Sequence, residues 1–163
     1  AGGGTVPPHA DWTFVDEDRF TSATVWCALA DQDDDGVLGV AVSSHRQVDF
    51  VRAANHRDGE RHAAIAADAD EILLPLRAGQ AVVTDNRTVH FSTPNRTAGP
   101  RAVAACVVAP RRAPLLHHWV EPNGRLLRLE VGPDFYCTYP LGSDPRSASE
   151  VHRTDLVDGV VIA

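Results

Sequence analysis

The residues best suited to chemistry stand near the start of the chain. His9 and Asp11 form an H-x-D triplet. On an extended strand, side chains two apart point to one face, so both could reach a single ion. The spacing alone is weak, because a chain with 8 His and abundant Asp yields such triplets by chance. A second one, His56-Arg57-Asp58, lies in a polar stretch (NHRDGERH) without strand pattern and reads as loop. The plain alternative for His9 is a solvated residue near a chain end. A redox iron site of the two-His-one-carboxylate type needs another ligand from a different strand and keeps three positions open. His90 suits that place, where DNRTVHFS (85–92) runs into a loop (93–100); a satisfied core histidine is its alternative. Arg101 opens an otherwise apolar strand, where an unpaired guanidinium is costly. It either snorkels to solvent or meets an anion, for which a carboxylate gripped at two points is the natural partner. Ser92, two residues beyond His90, faces the same way on a strand and could add a hydrogen bond.

Short strands must position these groups. The runs 24–29 (TVWCAL), 37–42 (VLGVAV), 72–76 (ILLPL), 80–84 (QAVVT) and 102–109 (AVAACVVA) are rich in Val, Leu and Ala and bounded by turn residues. Runs 115–120 and 126–131 flank Pro122-Asn123-Gly124, and Asn-Gly is a strong hairpin signal. One stretch, 60–71 (ERHAAIAADADE), predicts a helix, being Ala-rich with little β-branching. From about Ser143 the chain turns polar and reads as a loop followed by a short terminal element. Many short strands separated by turns predict a sandwich or barrel, not a βαβ fold.

Composition narrows the function. The 163 residues suit one domain with a sizeable core. The 15 basic residues are all Arg, and the net charge of −7 argues against a duplex nucleic-acid partner, which needs a basic face. No apolar run is long enough to span a bilayer, so no membrane partner is expected and a cytoplasmic location is the default. Three widely spaced cysteines (Cys27, Cys106 and Cys137) fit free thiols in a reducing compartment. Met is absent even at position 1, so the sequence is expected to be processed, excised or incomplete.

Taken together, the motifs resemble a known family. His9-x-Asp11, then TVWCALAD (24–31), then GVLGV (36–40) leading to Ser43-Ser44-His45-Arg46 are similar to the phytanoyl-CoA dioxygenase family of iron(II)- and 2-oxoglutarate-dependent oxygenases. The likeness continues through Ala78-Gly79-Gln80, Val89-His90-Phe91-Ser92, Pro94-Asn95 and Arg101, and covers roughly residues 5 to 110. It implies an all-β dominated chain, a double-stranded β-helix (jelly roll, cupin-like) with one short helical insert. It implies Fe(II) held by His9, Asp11 and His90, with 2-oxoglutarate and O2 as co-substrates and Arg101 on the distal carboxylate of 2-oxoglutarate. Ser92 and Trp26 align with positions that line the co-substrate, although a buried strand Trp is more often core. The implied activity is hydroxylation of a small-molecule substrate with release of succinate and CO2. Asp11 favours this outcome, since related halogenases replace that carboxylate by a small residue.

Two departures stand out. Where relatives often have Pro-Gly-Ser-His, this chain has Val42-Ser43-Ser44-His45. The usual N-terminal segment is expected to be absent, so residues 1–142 are read as the oxygenase domain without that part. Residues 143–163 are read as a loop and short terminal element of the same domain. The alternatives are a non-catalytic or incomplete jelly-roll binding module, or a cupin-type metal enzyme that does not use 2-oxoglutarate. Substrate identity and oligomeric state are not readable.

Several other features are read as structural. Asp31-Gln32-Asp33-Asp34-Asp35-Gly36 begins like a calcium loop, but Val42 stands where the bidentate Glu belongs, so it reads as an acidic turn. Asn86-Arg87-Thr88 and Asn95-Arg96-Thr97 match the glycosylation sequon but carry little weight. His117 and His118 point to opposite faces of a strand, so at most one could line a site. Trp12 and Phe14 are expected to pack. Arg46, Arg52, Arg57 and Arg61 are available to an acyl-CoA, although scattered surface Arg is the commoner reading.

Overall fold

A computed structural model describes residues 4–32, 35–140 and 142–161. Asp33 and Asp34, in the middle of the acidic turn, lie outside the described residues. The chain divides into two compact units, each assembled from three stretches. The first comprises Ala1–Asp11, Ser22–Asp49 and Asp58–Val108; the second comprises Trp12–Thr21, Phe50–Arg57 and Ala109–Ala163.

The first unit holds β1 (Val6–His9), β2 (Ala23–Ala28), β3 (Leu38–Ala41), α1 (Gly59–Ala67), β4 (Glu71–Leu74), β5 (Ala81–Asp85), β6 (His90–Ser92) and β7 (Val103–Val108). Its strands form two sheets, ordered β1-β6-β3-β4 and β5-β2-β7, and every pairing is antiparallel. These neighbours are distant in sequence, which is the arrangement a jelly roll requires, and α1 is the expected helical insert. The helix ends at Ala67, short of the predicted Glu71. Asp68 occupies its C-terminal cap, and Glu71 pairs with Ala41 in the β3–β4 ladder. Tertiary pairing outweighs local propensity at that end.

Two residue choices shape the β3 region. Gly39 lies opposite Phe91 on β6, and a Cβ there would stand 2.3 Å from the ring tip of Phe91. After β3, Ser43 adopts φ 62, a left-handed conformation that crowds any side chain. A glycine at this point would have no such crowding. The next residue, Ser44, is fully buried. Its hydroxyl donates to the Ala41 carbonyl (2.7 Å) and accepts from the Val89 amide (2.8 Å). The turn thereby ties the end of β3 to the residue before His90.

The second unit contains β8 (Leu115–Val120), β9 (Arg125–Val131), α2 (Phe135–Thr138) and β10 (Val151–Val161), with sheet order β10-β9-β8. The terminal element is an 11-residue strand, longer than the short piece expected from its polar sequence. Its polar residues are ladder partners: Arg153 faces Glu130 and Asp155 faces Arg128. Cross-strand charge pairs of this kind support an exposed strand without apolar alternation. Leu127, Leu129, Val131, Phe135 and Tyr139 form the core. Arg52 is buried and paired with Glu17, with Nη2–Oε1 at 2.5 Å and Nη1–Oε2 at 3.0 Å, so it is not a free grip for a substrate.

His117 and His118 are both buried, at 1% and 4% exposure, so both faces of β8 are covered. The His117 ring sits among Phe135, Tyr139, Tyr136 and Trp12, at centroid distances of 5.0, 5.4, 5.9 and 6.2 Å. His118 Nδ1 meets the Thr13 carbonyl at 3.1 Å. Burial pulls both imidazoles down to about 4; for His118 the Thr13 carbonyl opposes the shift and the Arg128 and Arg52 charges add to it, and for His117 the adjacent His118 adds to it by disfavouring a second positive ring. Trp12 and Phe14 pack as expected: Trp12 against Phe14 and His117, and Phe14 against Tyr136.

Two outcomes follow from this packing. Both histidines are neutral when folded, while the unfolded chain binds their protons below about pH 6.5. Their contribution is therefore complete above that pH and lost as pH falls toward 4, by about 2 kcal/mol each at pH 5. Urea midpoints should drop between pH 7 and 5, and less steeply in His117→Phe. Ser43→Gly should relieve the left-handed strain and raise stability by about 0.5–1 kcal/mol, part of the gain being offset by glycine's freedom in the unfolded chain. Urea unfolding at pH 7 measures this directly.

Candidate metal centre

The β1–β6 pairing sets His9 directly opposite His90. Their ring centroids are 4.3 Å apart. Each ring is fixed by the carbonyl two residues earlier: His9 Nδ1 lies 2.9 Å from Pro7 O and His90 Nδ1 lies 3.0 Å from Thr88 O. A carbonyl can only accept, so Nδ1 carries a proton in both rings, and in the neutral form of either ring the lone pair is on Nε2. A metal-binding imidazole needs this tautomer when Nε2 is the ligand atom.

Asp11 arrives differently. The expected strand ends at His9, so the carboxylate is not held by strand alternation and lies two residues past the end of β1. There the Thr24 hydroxyl donates to its Oδ2 at 2.5 Å, and Oδ1 stands 4.0 Å from His90 Nε2. Ligand atoms of His9, Asp11 and His90 all fall within 4.8 Å of one another, and all three residues are half-buried. Metal bonds of about 2.1 Å set neighbouring donor atoms roughly 3 Å apart. The ligand atoms here are spaced up to 4.8 Å, wider than that arrangement. Two neutral imidazoles and one carboxylate are a donor set for a divalent first-row metal, so the residues fit an iron(II) ion.

Arg101 is also half-buried, and burial draws its guanidinium pKa down. Its Nη1 donates to the Gly36 carbonyl at 2.7 Å, and Gly36 takes φ 67, a turn geometry that suits glycine. The guanidinium carbon lies 5.8 Å from the Trp26 ring centre, within cation–π range. Trp26 and Thr24 are alternate residues of β2, so they share a face about 6.6 Å apart. One face of β2 therefore links Arg101 to Asp11. Ser92 is buried, and its hydroxyl accepts from the Val6 amide at 3.1 Å. It pins β1 to β6 and keeps its own proton to give.

Thr24, Asn86 and Ser22 were missed by sequence reasoning. Thr24 was signalled only by its alternation with Trp26, and Asn86 read as part of a sequon although it is 1% exposed. His56-Arg57-Asp58 is loop preceding α1, as expected. Asp31, the first residue of the acidic turn, accepts from the Ala78 amide and from Arg77. The three cysteines are free.

Comparison with known proteins decides the family. Residues 1–103 match the model of the family described as Phytanoyl-CoA dioxygenase (PhyH). The chain belongs to this family. PhyH enzymes use iron(II), 2-oxoglutarate and O2, the cofactors expected from the sequence. Among solved structures, the chain is similar to the epimerase SnoN in complex with Fe3+, alpha-ketoglutarate and nogalamycin RO. That match has 25% identity and a TM-score of 0.59, covering 70% of this chain and 45% of SnoN. It is also similar to SnoK, a non-heme alpha-ketoglutarate-dependent carbocyclase from nogalamycin biosynthesis. Here identity is 23% and the TM-score 0.54, covering 68% of this chain and 45% of SnoK. This PhyH chain thus spans less than half the length of either neighbour, and its fold is their jelly roll. No curated protein matches it. Among the described residues, no helix is long and apolar enough to cross a membrane.

Proposed function

We propose that this PhyH chain forms an iron(II)/2-oxoglutarate oxygenase site that hydroxylates a small-molecule substrate, with release of succinate and CO2. His9, Asp11 and His90 would hold the metal, and Arg101 would bind the distal carboxylate of 2-oxoglutarate. Ser92 and Trp26 would line the co-substrate. In this reading residues 1–142 and 143–163 belong to one oxygenase domain. The observation that carries the proposal is the convergence of the three ligand atoms within 4.8 Å, with Nδ1 of both rings engaged by backbone carbonyls so that Nε2 is the atom available to a metal.

When bound, iron and 2-oxoglutarate supply the oxidising power by activating O2 as the oxo acid loses CO2. The chain's own part is placement and charge. The two imidazoles are neutral donors and Asp11 adds one negative charge, so the site offsets part of a divalent cation's charge without closing every position. Arg101 provides a fixed positive fork for a carboxylate. Its half-buried setting strengthens that attraction over what a solvated Arg would offer. Trp26 lies against the guanidinium and supplies an apolar wall that limits water beside it.

The presence of Asp11 supports an oxygen-transferring outcome, because the carboxylate occupies the place a halide would need. The similar structures are those of a carbocyclase and an epimerase, so the product distinguishes the reactions. Hydroxylation adds one oxygen to the substrate mass, epimerisation leaves the mass unchanged, and ring closure removes two hydrogens.

The test is anaerobic. Addition of iron(II) and 2-oxoglutarate to the protein should produce a weak visible charge-transfer band, absent in Asp11→Ala and lost or shifted in Arg101→Ala. A folded protein that gives no band, or gives the same band in all three forms, would overturn the assignment.

A further inference from the structure

The site's carboxylate is held by a buried chain of polar groups that begins well away from it. The two histidines are oriented by strand pairing and by carbonyls of their own segment, whereas Asp11 follows the end of β1 and accepts from the Thr24 hydroxyl. We propose that Thr24, backed by Asn86 and Ser22, is the positioning residue that fixes Asp11 as a one-oxygen metal ligand. The proposal rests on the metal-site reading above and names what makes that site rigid.

Thr24 Oγ1 lies 2.5 Å from Asp11 Oδ2 and 3.0 Å from Asn86 Oδ1. One hydroxyl has one proton, and the short contact to a carboxylate claims it. The oxygen of Asn86 would then face the oxygen of Thr24 with no proton between them. Asn86 is 1% exposed, and such a buried mismatch is costly. Exchanging the amide's oxygen and nitrogen, which have nearly the same shape, removes it. Asn86 then donates to Thr24, and its oxygen accepts from the Ser22 hydroxyl, 3.1 Å from the other amide atom and 2% exposed. Every proton runs one way: Ser22 to Asn86, Asn86 to Thr24, and Thr24 to Asp11.

A hydroxyl that must accept from Asn86 has only one direction left in which to donate. Asp11 Oδ2 is thereby committed, and Oδ1, the oxygen 4.0 Å from His90 Nε2, is presented to the metal. Asn86 is itself anchored, because its backbone N–H donates to the Ser22 backbone carbonyl at 3.2 Å. The chain is thus fixed at its far end by backbone and delivers its last proton to the ligand.

The experiment is manganese(II) binding to the protein without co-substrate, read by the EPR signal of the free ion. Thr24→Val keeps the shape and removes the hydroxyl, and should weaken manganese(II) binding by about 10–100-fold, the usual effect of removing a group that orients a ligand. Thr24→Ser restores the hydroxyl and should recover most of the affinity. Thr24→Ala is measured beside them, so that a poorly folded Val variant does not remove the test. Metal-free melting temperatures should not follow the affinity order, whereas a merely structural role would move both together. Unchanged affinity in folded Thr24→Val or Thr24→Ala would overturn the proposal. Asp11→Ala separates this failure from a deeper one: if it too binds manganese(II) as the parent does, the metal-site reading itself is wrong.

Discussion

The candidate site depends first on one backbone pairing, β1 against β6, which sets His9 opposite His90. Strands distant in sequence can approach this closely only if each contributes a ladder partner and no bulky obstacle. β6 meets that condition on its other side through β3, where Gly39 leaves room for the Phe91 ring. Ser44 then bonds the end of β3 to Val89, immediately before His90. Ser92 does the same work toward β1 by accepting from Val6. A three-residue strand is thus tied on both edges and at both ends, and its histidine inherits that rigidity.

The second constraint is the shared face of β2. Thr24 reaches Asp11, and Trp26, two residues on, lies against Arg101. A strand keeps such residues at a fixed spacing and on one side, so the separation between carboxylate and guanidinium is set by backbone geometry. This division of labour suits a chemistry with two binding tasks. The β1–β6 pair brings two imidazoles together, and β2 relates the Asp11 carboxylate to the Arg101 guanidinium.

Much of this arrangement was readable in the amino-acid order. Seven of the strands fall where runs of Val, Leu and Ala between turn residues place them, because apolar strands bounded by Gly, Pro and Asp leave few alternatives. His9, Asp11 and His90 were candidates on residue type, and their meeting required long-range pairings that no local pattern encodes. The strand argument for Asp11 does not hold, since the strand stops at His9 and a threonine from β2 supplies the support. Asn86 was hidden for a related reason: a buried polar residue and an exposed sequon have the same letters. The terminal strand was missed because its ladder is built on charges, Arg153 with Glu130 and Asp155 with Arg128, and period-two hydrophobicity does not register them.

Histidine shows most clearly why residue type alone could not settle the site. His9, His90, His117 and His118 all lie in strands, and three of them place Nδ1 against a backbone carbonyl. What separates them is the surroundings of the remaining nitrogen. In His9 and His90 the rings are half-buried and a carboxylate stands nearby, so a cation there would find both a lone pair and a compensating charge. In His117, Nε2 is enclosed by aromatic rings and, among the described residues, has no hydrogen-bond partner. The same enclosure keeps His117 neutral by opposing protonation. The same side chain thus serves two settings, an aromatic core and a place beside a carboxylate, and the Asp11 carboxylate beside His9 and His90 is what marks the second as the candidate for a divalent ion.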